Sequence, residues 1–367
     1  MTPLPTTIAE LLETGVMNPE FEAAWKARGS PLGDMPTDVL TLKRMVEASL
    51  PGLQQQLATT RPENIIESEH TVLLSTGFAS RLLVCHAAQP PVPKPSPVVV
   101  LFHGGAHVLG LPEFDLKLAR ELALAHNATV VCPSTRHAPE HPFPAMIDDA
   151  WAVLQAVAHD DASSSRSFLP AHADARAGFI VGGASSGANF ADVVAHLARD
   201  AGLAPPLTGM FLVCGAFIDP ARVPAECLGR YLSREQNRDA PVVNERFLRA
   251  FNGVIKPDVD SPLWAPFDQH HSEGIGAGHR GMPPAYFQIC GMDMNRDDSL
   301  LYERVLREEC GVPTRVDLYS GFPHCWWDMY PELDASKKRV EDTVAGFEWL
   351  LAQGTESGCD TGRLQQT

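Results

Sequence analysis

The chain has 367 residues, of which 44% are hydrophobic and 20% are charged, and its formal net charge is −16. This length suits one large domain or two ordinary ones, and the apolar fraction predicts a sizeable buried core. The acidic balance argues against a nucleic-acid partner, which requires basic patches. No apolar run approaches the roughly 18 residues of a membrane-spanning helix, and the opening residues lack the basic and apolar regions of a signal peptide. We therefore expect a cytoplasmic protein.

The periodicity of the sequence changes within its first quarter. Apolar residues at helical spacing predict three N-terminal helices, punctuated by prolines, at residues 8–13, 20–28 and 38–50. Alternating apolar and polar residues then predict a β-hairpin formed by residues 67–74 and 80–86, with its turn at Gly77. Five prolines between Pro90 and Pro97 predict a stiff, extended connection to the rest of the chain.

From residue 97 onward, predicted strands and helices alternate. Strands are predicted at residues 97–102, 128–132, 179–183, 210–217, 285–290 and 316–319. Helices are predicted at residues 113–126, 145–158, 186–201, 297–310 and 335–353. Such alternation is typical of an α/β fold, in which helices flank both faces of a mostly parallel central β-sheet.

Two stretches fall outside this alternation, and we interpret both as parts of a helical cap. Residues 1–65 form its N-terminal part, and residues 219–282 are an insertion between two core strands, with a helix expected at residues 243–252. The remaining divisions are a core built from residues 66–218 and 283–354 and a polar tail at residues 355–367. We expect an insertion between core strands to form a lid or cap over the site.

A serine flanked by glycines lies between a predicted strand and a predicted helix. The motif G-x-S-x-G occupies residues 183–187, with Ser185 at its centre. A strand that turns directly into a helix holds this serine in a strained conformation and exposes its oxygen, while the glycines let the backbones approach each other. The N–H of Ser186 then points at an oxyanion formed on the substrate. This setting predicts that Ser185 is a nucleophile.

Two consecutive glycines follow the first buried strand, in the sequence H-G-G-A-H. Glycines at this place allow backbone N–H groups to turn towards a pocket. We predict that the N–H groups of Gly104, Gly105 and Ala106 form an oxyanion hole together with that of Ser186. The loss of one such donor costs about 3–4 kcal/mol of transition-state stabilisation. The neighbouring His103 is interpreted as a structural residue that hydrogen-bonds the loop.

A serine nucleophile requires a base, and the base requires a third group that holds it in the correct tautomer. Folds that carry this strand–turn–helix serine present the partners in the chain order serine, acid, histidine. Asp293 follows the predicted strand at residues 285–290, and His324 follows the last predicted strand. Both therefore occupy the expected positions. The nearby Asp297 and Asp298 fit better at the start of the next helix, where carboxylates stabilise the helix dipole.

Other histidines and the cysteines do not form a recognisable site. His270, His271 and His279 lie in the insertion, where no strand end presents them to the expected pocket. The sequence contains no HExxH, CxxC, GxGxxG or P-loop motif, so we expect neither a metal site nor a cofactor. The eight cysteines, without an export signal, are interpreted as reduced thiols.

With these residues in place, the chain resembles the hormone-sensitive-lipase-like branch of the α/β-hydrolases over about residues 98–346. The family's H-G-G-G loop is similar to residues 103–106, and its G-D-S-A-G serine motif is similar to residues 183–187. Its R-L-A-P-E-H, D-P-L-R-D and H-G-F segments resemble residues 136–141, 293–297 and 324–326, in the same order along the chain. Ala106, Ala184, Met294 and Asn295 depart from the pattern, but none of them replaces a catalytic residue. The segments G-G-A-S-S-G-A-N at residues 182–189 and Y-L-S-R-E-Q-N at residues 231–237 are also similar to those of filamentous-fungal members, many of which serve small-molecule, often polyketide-related, pathways.

The resemblance implies an α/β-hydrolase fold with a helical cap. It also implies that the chain is a serine esterase that cleaves a small, fairly apolar carboxylic ester. Its catalytic residues would be Ser185, Asp293 and His324. Two alternatives stay open at this point. The same residues can serve lactone or thioester cleavage, or a pathway-specific condensation or cyclisation, and some relatives of this branch are non-catalytic ligand receptors. The oligomeric state is open between monomer and homodimer. The candidates for substrate contact are Phe217, Tyr231, Phe247, Phe251, Trp264 and Trp326. Those in the cap fit the cap core equally well, and of Trp326 and Trp327 one is expected to line the pocket and the other to pack beneath it.

Overall fold

An eight-stranded sheet organises the computed structural model, which describes residues 3–29, 38–89, 94–161, 163–269 and 277–360. The strands are β1 (Ile65–Leu73), β2 (Ala79–Ala87), β3 (Val98–Phe102), β4 (Thr129–Pro133), β5 (Phe179–Ala184), β6 (Gly209–Val213), β7 (Ala285–Cys290) and β8 (Thr314–Tyr319). In space they run in the order β1-β2-β4-β3-β5-β6-β7-β8. β2 pairs antiparallel with both β1 and β4, and every other pair is parallel. The predicted mostly parallel sheet is therefore confirmed.

Helices cover both faces of this sheet. They are α1 (Ile8–Glu13), α2 (Pro19–Ala27), α3 (Val39–Thr60), α4 (Leu116–His126), α5 (Ala145–Ala158), α6 (Ser186–Asp200), α7 (Ser233–Gln236), α8 (Glu245–Ile255), α9 (Arg296–Arg304) and α10 (Asp334–Asp360). Alternate residues of β3 point to opposite faces: Val98 and Val100 join the core under α5, α6 and α9, whereas Val99 and Leu101 join the core under α4 and α10. Both faces of the central strands are buried, which explains their continuous apolar runs.

Several element boundaries differ from the predictions, among them the following three. The prediction that the third helix ends before Pro51 is wrong, because α3 continues to Thr60 and buried Leu42 and Leu57 anchor it on either side of the proline. The strand predicted at residues 210–217 ends at Val213, because Cys214 has a φ of +50° that a strand does not accept. Six residues of the polar tail are helical, since α10 extends to Asp360.

Some predictions concern residues outside the described ranges. They are the cap prolines Pro31 and Pro36, residues 90–93 of the proline-rich connection, the histidines His270 and His271, and the last seven residues of the tail. Within the described ranges, no helix combines the length and the apolarity needed to cross a membrane.

The segment that follows α1 packs against the loops after β7 and β8. The Gly321 N–H donates to Thr14 O at 2.7 Å, and the Asn18 N–H donates to Gly321 O at 3.0 Å. Gly291 must lack a side chain, because a Cβ at this position would lie 2.0 Å from Thr14 O. The N-terminal segment therefore supports two core loops directly.

The N-terminal segment also contacts the insertion. Arg230 donates hydrogen bonds to the carbonyls of Pro5 and Thr6, each at 3.0 Å, and the Gln236 side chain donates to Leu12 O at 2.6 Å. These bonds join the two stretches that the sequence assigns to the cap. The cap boundaries at residues 65, 219 and 282 stay predictions.

Candidate active site

Ser185 lies at the sharp turn between β5 and α6. Its backbone has a φ of 58° and a ψ of −123°, a combination that residues other than glycine rarely adopt. The flanking glycines are required by contact, since a Cβ at Gly183 would lie 2.2 Å from Phe102 O and one at Gly187 would lie 1.9 Å from the same atom. The Ser185 N–H donates to Val213 O at 2.8 Å. The turn therefore has the conformation that the serine motif predicts.

The loop after β3 runs beside this serine. Gly105, Ala106 and His107 all have positive φ, with values of 126°, 52° and 58°. A Cβ at Gly104 would lie 3.4 Å from Ser185 Cβ, which places the loop next to the candidate nucleophile. Among the described residues, the N–H groups at positions 104–106 donate to no backbone or side-chain acceptor. Ala106 thus keeps a glycine-like conformation, and these three donors are available to an oxyanion.

The Ser186 N–H provides a fourth candidate donor. Ser186 is the first residue of α6, so its N–H has no partner within the helix. It also lines the same cavity as Ala106 and Ser185. The positive end of the helix dipole is directed at this point and favours a negative charge there. That these donors form an oxyanion hole stays a prediction.

Asp293 and His324 meet in the loops that follow β7 and β8. The Nδ1 atom of His324 lies 2.7 Å from Asp293 Oδ2, and the two side chains are 5% and 1% exposed. Asp293 Oδ1 accepts the Asn295 N–H at 2.9 Å, and the Asn237 side chain donates to Asp293 O at 2.7 Å. Burial lowers the pKa of His324, but the Asp293 charge and hydrogen bond outweigh it and raise this pKa to about 9. The carboxylate therefore stabilises a protonated imidazole.

A cavity of about 430 Å³ opens between the core and the insertion. Ser185 and His324 both line it, so the predicted nucleophile and base face the same space. Its opposite wall is largely formed by α8 and the segments around it. Four of the six residues expected to contact substrate line this cavity: Tyr231, Phe247, Phe251 and Trp264. Their contact with substrate stays a prediction.

The other two candidates, Phe217 and Trp326, do not line the cavity, and their selection as substrate contacts is corrected. Phe217 is fully buried against Phe287 and Tyr302, with ring centroids 6.1 and 5.3 Å away. Its ring folds back over Gly215, where a Cβ would lie 2.2 Å from the ring. Trp326 is also fully buried and packs among the aromatic rings of the β8 loop. Sequence alone does not distinguish such core aromatics from pocket aromatics.

Sequence reasoning missed one residue of the cavity lining and its pairing with a buried carboxylate. Arg234 lines the cavity, and its guanidinium contacts Tyr231 Oη at 3.2 Å and Asp298 at 3.2 and 3.3 Å. Asp298 also accepts the Ile218 N–H at 3.1 Å. Burial raises the pKa of Asp298 to about 6, while the charge of Arg234 opposes this rise. Only the segment Y-L-S-R-E-Q-N, noted for its resemblance, pointed to this arginine.

The neighbouring Asp297 lies in the first turn of α9, as predicted, but it does more than stabilise the helix dipole. Its Oδ2 accepts the N–H groups of Leu232 and Ser233, each at 2.6 Å. The fully buried Arg296 pairs with the same carboxylate at 2.7 Å. Together, Asp297 and Asp298 therefore fix the start of the insertion to the core.

The histidines that compete with His324 for the role of catalytic base have other partners. His279 is fully buried and lies 2.9 Å from the ring nitrogen of His196, outside the cavity lining. His103 is buried, and its Nδ1 lies 3.0 Å from Gly104 O, in keeping with the interpretation that it supports the loop. Burial lowers the pKa of His103, which favours its neutral form.

Comparison with known proteins defines the class to which this fold and site belong. A family model described as the alpha/beta hydrolase fold matches residues 99–328, and the chain belongs to this family, in its hormone-sensitive-lipase-like branch. An AB hydrolase superfamily protein of Schizosaccharomyces pombe is 33% identical over 260 residues, which are 70% of this chain and 71% of that protein.

Two further similarities extend over a larger share of the chain. The versiconal hemiacetal acetate esterase of Dothistroma septosporum is 27% identical over 312 residues, which are 84% of this chain and 88% of that esterase. The crystal structure of a vibralactone cyclase superposes with a TM-score of 0.80 and 26% identity, covering 93% of this chain and 97% of that one. The chain is therefore a member of the esterase-type α/β-hydrolases.

Proposed function

We propose that this chain is a serine esterase that hydrolyses a carboxylic ester of a small, fairly apolar molecule. Ser185 attacks the ester carbonyl while His324 accepts its proton, and the negative charge on the carbonyl oxygen is stabilised by the N–H groups of the loop at residues 104–106 and of Ser186. His324 then passes the proton to the leaving alkoxide. Water, activated by the same histidine, releases the acid and regenerates the serine. Asp293 orients His324 and stabilises its protonated form throughout.

The observation that carries this proposal is the shared cavity of Ser185 and His324, together with the 2.7 Å contact between His324 and Asp293. Gly104 lies next to Ser185, Ala106 lines the same cavity, and the N–H groups at positions 104–106 have no acceptor among the described residues. The aromatic side chains of Phe247, Phe251 and Trp264 give the cavity its apolar surface. An apolar wall with a few polar groups suits a small organic ester.

The experiment is turnover of 4-nitrophenyl acetate and butyrate by the Ser185→Ala variant. We expect kcat to fall by about 10⁶, to the level set by the oxyanion donors alone. The matched control is Ser165→Ala, which changes an exposed serine of a surface loop outside the cavity. Turnover by Ser185→Ala equal to that of the control would refute the assignment of the nucleophile.

We further propose that the ester belongs to a fungal secondary-metabolite pathway. The support is the similarity to the versiconal hemiacetal acetate esterase, which extends over 84% of this chain. The substrate of that esterase is not transferred to this chain, because the residues that line the cavity decide specificity. Assays of aryl acetates of increasing size test the proposal, and we expect kcat/KM to rise until the acyl and aryl groups fill the cavity.

A second candidate function uses the same residues for lactone formation or cleavage. The observation that favours it is the similarity to the vibralactone cyclase structure, which covers nearly the whole chain. An intramolecular hydroxyl can replace water as the group that attacks the acyl-enzyme, because both reactions pass through the same oxyanion. A panel of small lactones assayed beside 4-nitrophenyl butyrate separates the two functions. A higher kcat/KM for a lactone, abolished by Ser185→Ala, would favour the second candidate.

A further inference from the structure

Three cysteine side chains meet directly behind the Asp293–His324 pair. Cys214 follows β6, Cys290 ends β7, and Cys325 follows His324 in the chain. The sulfur atoms of Cys214 and Cys290 are 3.0 Å apart. The side-chain ligand atoms of Cys214, Cys325 and His324 all lie within 4.8 Å of one another, and so do those of Cys214, Cys290 and Asp293. We call the three cysteines the thiol cluster.

The backbone of this cluster is strained at two points. Cys214 and Cys325 both have a φ of +50°, in the left-handed region that favours glycine. A non-glycine residue in this region costs about 1–3 kcal/mol, and such residues concentrate at functional sites. Cys214 and Cys325 share this feature with Ser185 and Ala106 in the candidate active site. Simple core packing does not require a strained cysteine at either position.

Cys214, Cys325 and His324 form a group of three candidate ligands for a thiophilic metal ion, because their ligand atoms all lie within 4.8 Å of one another. In a tetrahedral site with metal–sulfur bonds of about 2.3 Å, two sulfur ligands lie about 3.8 Å apart. Thiolate and imidazole are the ligands that zinc and similar soft ions prefer. Cys290 belongs to a separate group, with Cys214 and Asp293. The neighbouring cavity provides an entry path, because His324 lines it and Cys325 is partly exposed.

We propose that Cys214, Cys325 and His324 form an inhibitory binding site for a thiophilic divalent cation such as Zn²⁺ or Cd²⁺, with a water molecule from the cavity as the fourth ligand. Cys214 and Cys325 bind the ion as thiolates, and each releases its proton to solvent. The imidazole Nδ1 of His324 releases its proton to solvent, binds the ion and gives up its hydrogen bond to Asp293. Ser185 then lacks its base, so catalysis stops while the fold stays intact.

The experiment titrates the fully reduced chain with Cd²⁺ and follows two signals. Thiolate ligation produces a sulfur-to-cadmium charge-transfer band in the ultraviolet, which reports binding without any reaction. Turnover of 4-nitrophenyl butyrate reports inhibition. We expect one ion per chain, a charge-transfer band, at least a tenfold loss of turnover, and full recovery on addition of a chelator. The charge-transfer signal does not depend on the proposed esterase function, so failure of one proposal is distinguishable from failure of the other.

Variants of the cluster decide where the ion binds. Cys325→Gly removes one thiol and relieves the backbone strain at that residue, so the variant is expected to fold. Cys214→Ser removes the second thiol without changing the size of the side chain greatly. Both should weaken Cd²⁺ binding at least tenfold. The matched control is Cys310→Ser, which changes a partly exposed thiol outside the cluster and should bind Cd²⁺ as the wild type does.

Three results would overturn the proposal. The first is the absence of a charge-transfer band in the wild type at saturating Cd²⁺. The second is inhibition without such a band, which would place the ion on carboxylates or histidines elsewhere. The third is unchanged Cd²⁺ binding by both Cys325→Gly and Cys214→Ser. Reversal by a thiol reductant but not by a chelator would identify oxidation of the cluster instead of metal binding, and would also contradict the proposal.

Discussion

At the scale of single residues, the Asp293–His324 contact sets the protonation of the candidate base. His324 is almost completely buried, and burial alone favours the neutral imidazole. The Asp293 carboxylate, at 2.7 Å, reverses this preference and raises the pKa of His324 to about 9. The resting site therefore carries a proton on His324 at neutral pH. That proton must leave before His324 can accept the one from Ser185.

This pair predicts the pH dependence of turnover. The kcat/KM of the wild type for 4-nitrophenyl butyrate should rise as the pH increases through about 9, because the neutral form of His324 is the active base. In Asp293→Asn the carboxylate charge is lost, so the rise should move to lower pH and the plateau should fall by about 10⁴. The matched control is Asp239→Asn, an exposed carboxyl of the insertion, which should keep the wild-type profile. An unshifted profile in Asp293→Asn would contradict this account of the pair.

At the scale of elements, α7 and α9 connect the insertion to the core through Arg234 and Asp298. Asp298 is fully buried and has three partners from the insertion and the segment before it: Ile218, Tyr231 and Arg234. A buried carboxylate of this kind is tolerated because its partners satisfy its charge and lone pairs. The contact fixes one wall of the cavity relative to the loop that carries Asp293.

Removing one partner of this pair should therefore destabilise the chain. Arg234→Met leaves Asp298 buried without its cation and should lower the free energy of unfolding by about 3–5 kcal/mol. The double variant Arg234→Met/Asp298→Asn removes the uncompensated charge, so it should regain much of that loss. Denaturant unfolding measures both. The control Arg238→Met breaks an exposed ion pair and should cost at most about 1 kcal/mol. A double variant less stable than Arg234→Met would contradict the argument.

A second connection between elements is the segment after α1, which packs on the loop of Asp293. Gly291→Ala would place a Cβ 2.0 Å from Thr14 O, so the segment or the loop must move. We expect a loss of about 1–3 kcal/mol in stability and a parallel loss of kcat. Gly52→Ala is the matched control, because nothing lies within 4 Å of a Cβ there and alanine favours its helix by about 0.5–1 kcal/mol. Wild-type stability and kcat in Gly291→Ala would show that this contact is dispensable.

At the scale of the whole molecule, the sequence predicts the sheet and the strand ends that present the candidate catalytic residues. Apolar strands that alternate with amphipathic helices permit few topologies, so the order of motifs along the chain locates Ser185, Asp293 and His324 before any coordinates. The glycines around Ser185 signal the turn because no other residue fits against Phe102. These features depend on residues that are close together in the sequence, so they can be predicted from the sequence alone.

The features that escaped prediction depend on contacts between distant segments. Phe217 and Phe251 look alike in sequence, yet one packs in the core and the other lines the cavity. The role of Asp298 depends on Arg234, 64 residues earlier in the chain. Helix α3 continues through Pro51 because buried residues hold it on both sides. Helix propensity, which considers each residue by itself, does not take this packing into account. In each of these examples, packing between distant segments determined the position or role of the residue.

The central claim is that Ser185 is an activated nucleophile, and covalent labelling tests it most directly. A fluorophosphonate reacts with a serine only when a base and an oxyanion hole activate it. After incubation of the intact chain, peptide mass spectrometry should find a single phosphonylated residue, Ser185, and Ser185→Ala should stay unlabelled while Ser165→Ala is labelled as the wild type is. Absence of label from the wild type, or equal labelling of Ser185→Ala, would contradict the account.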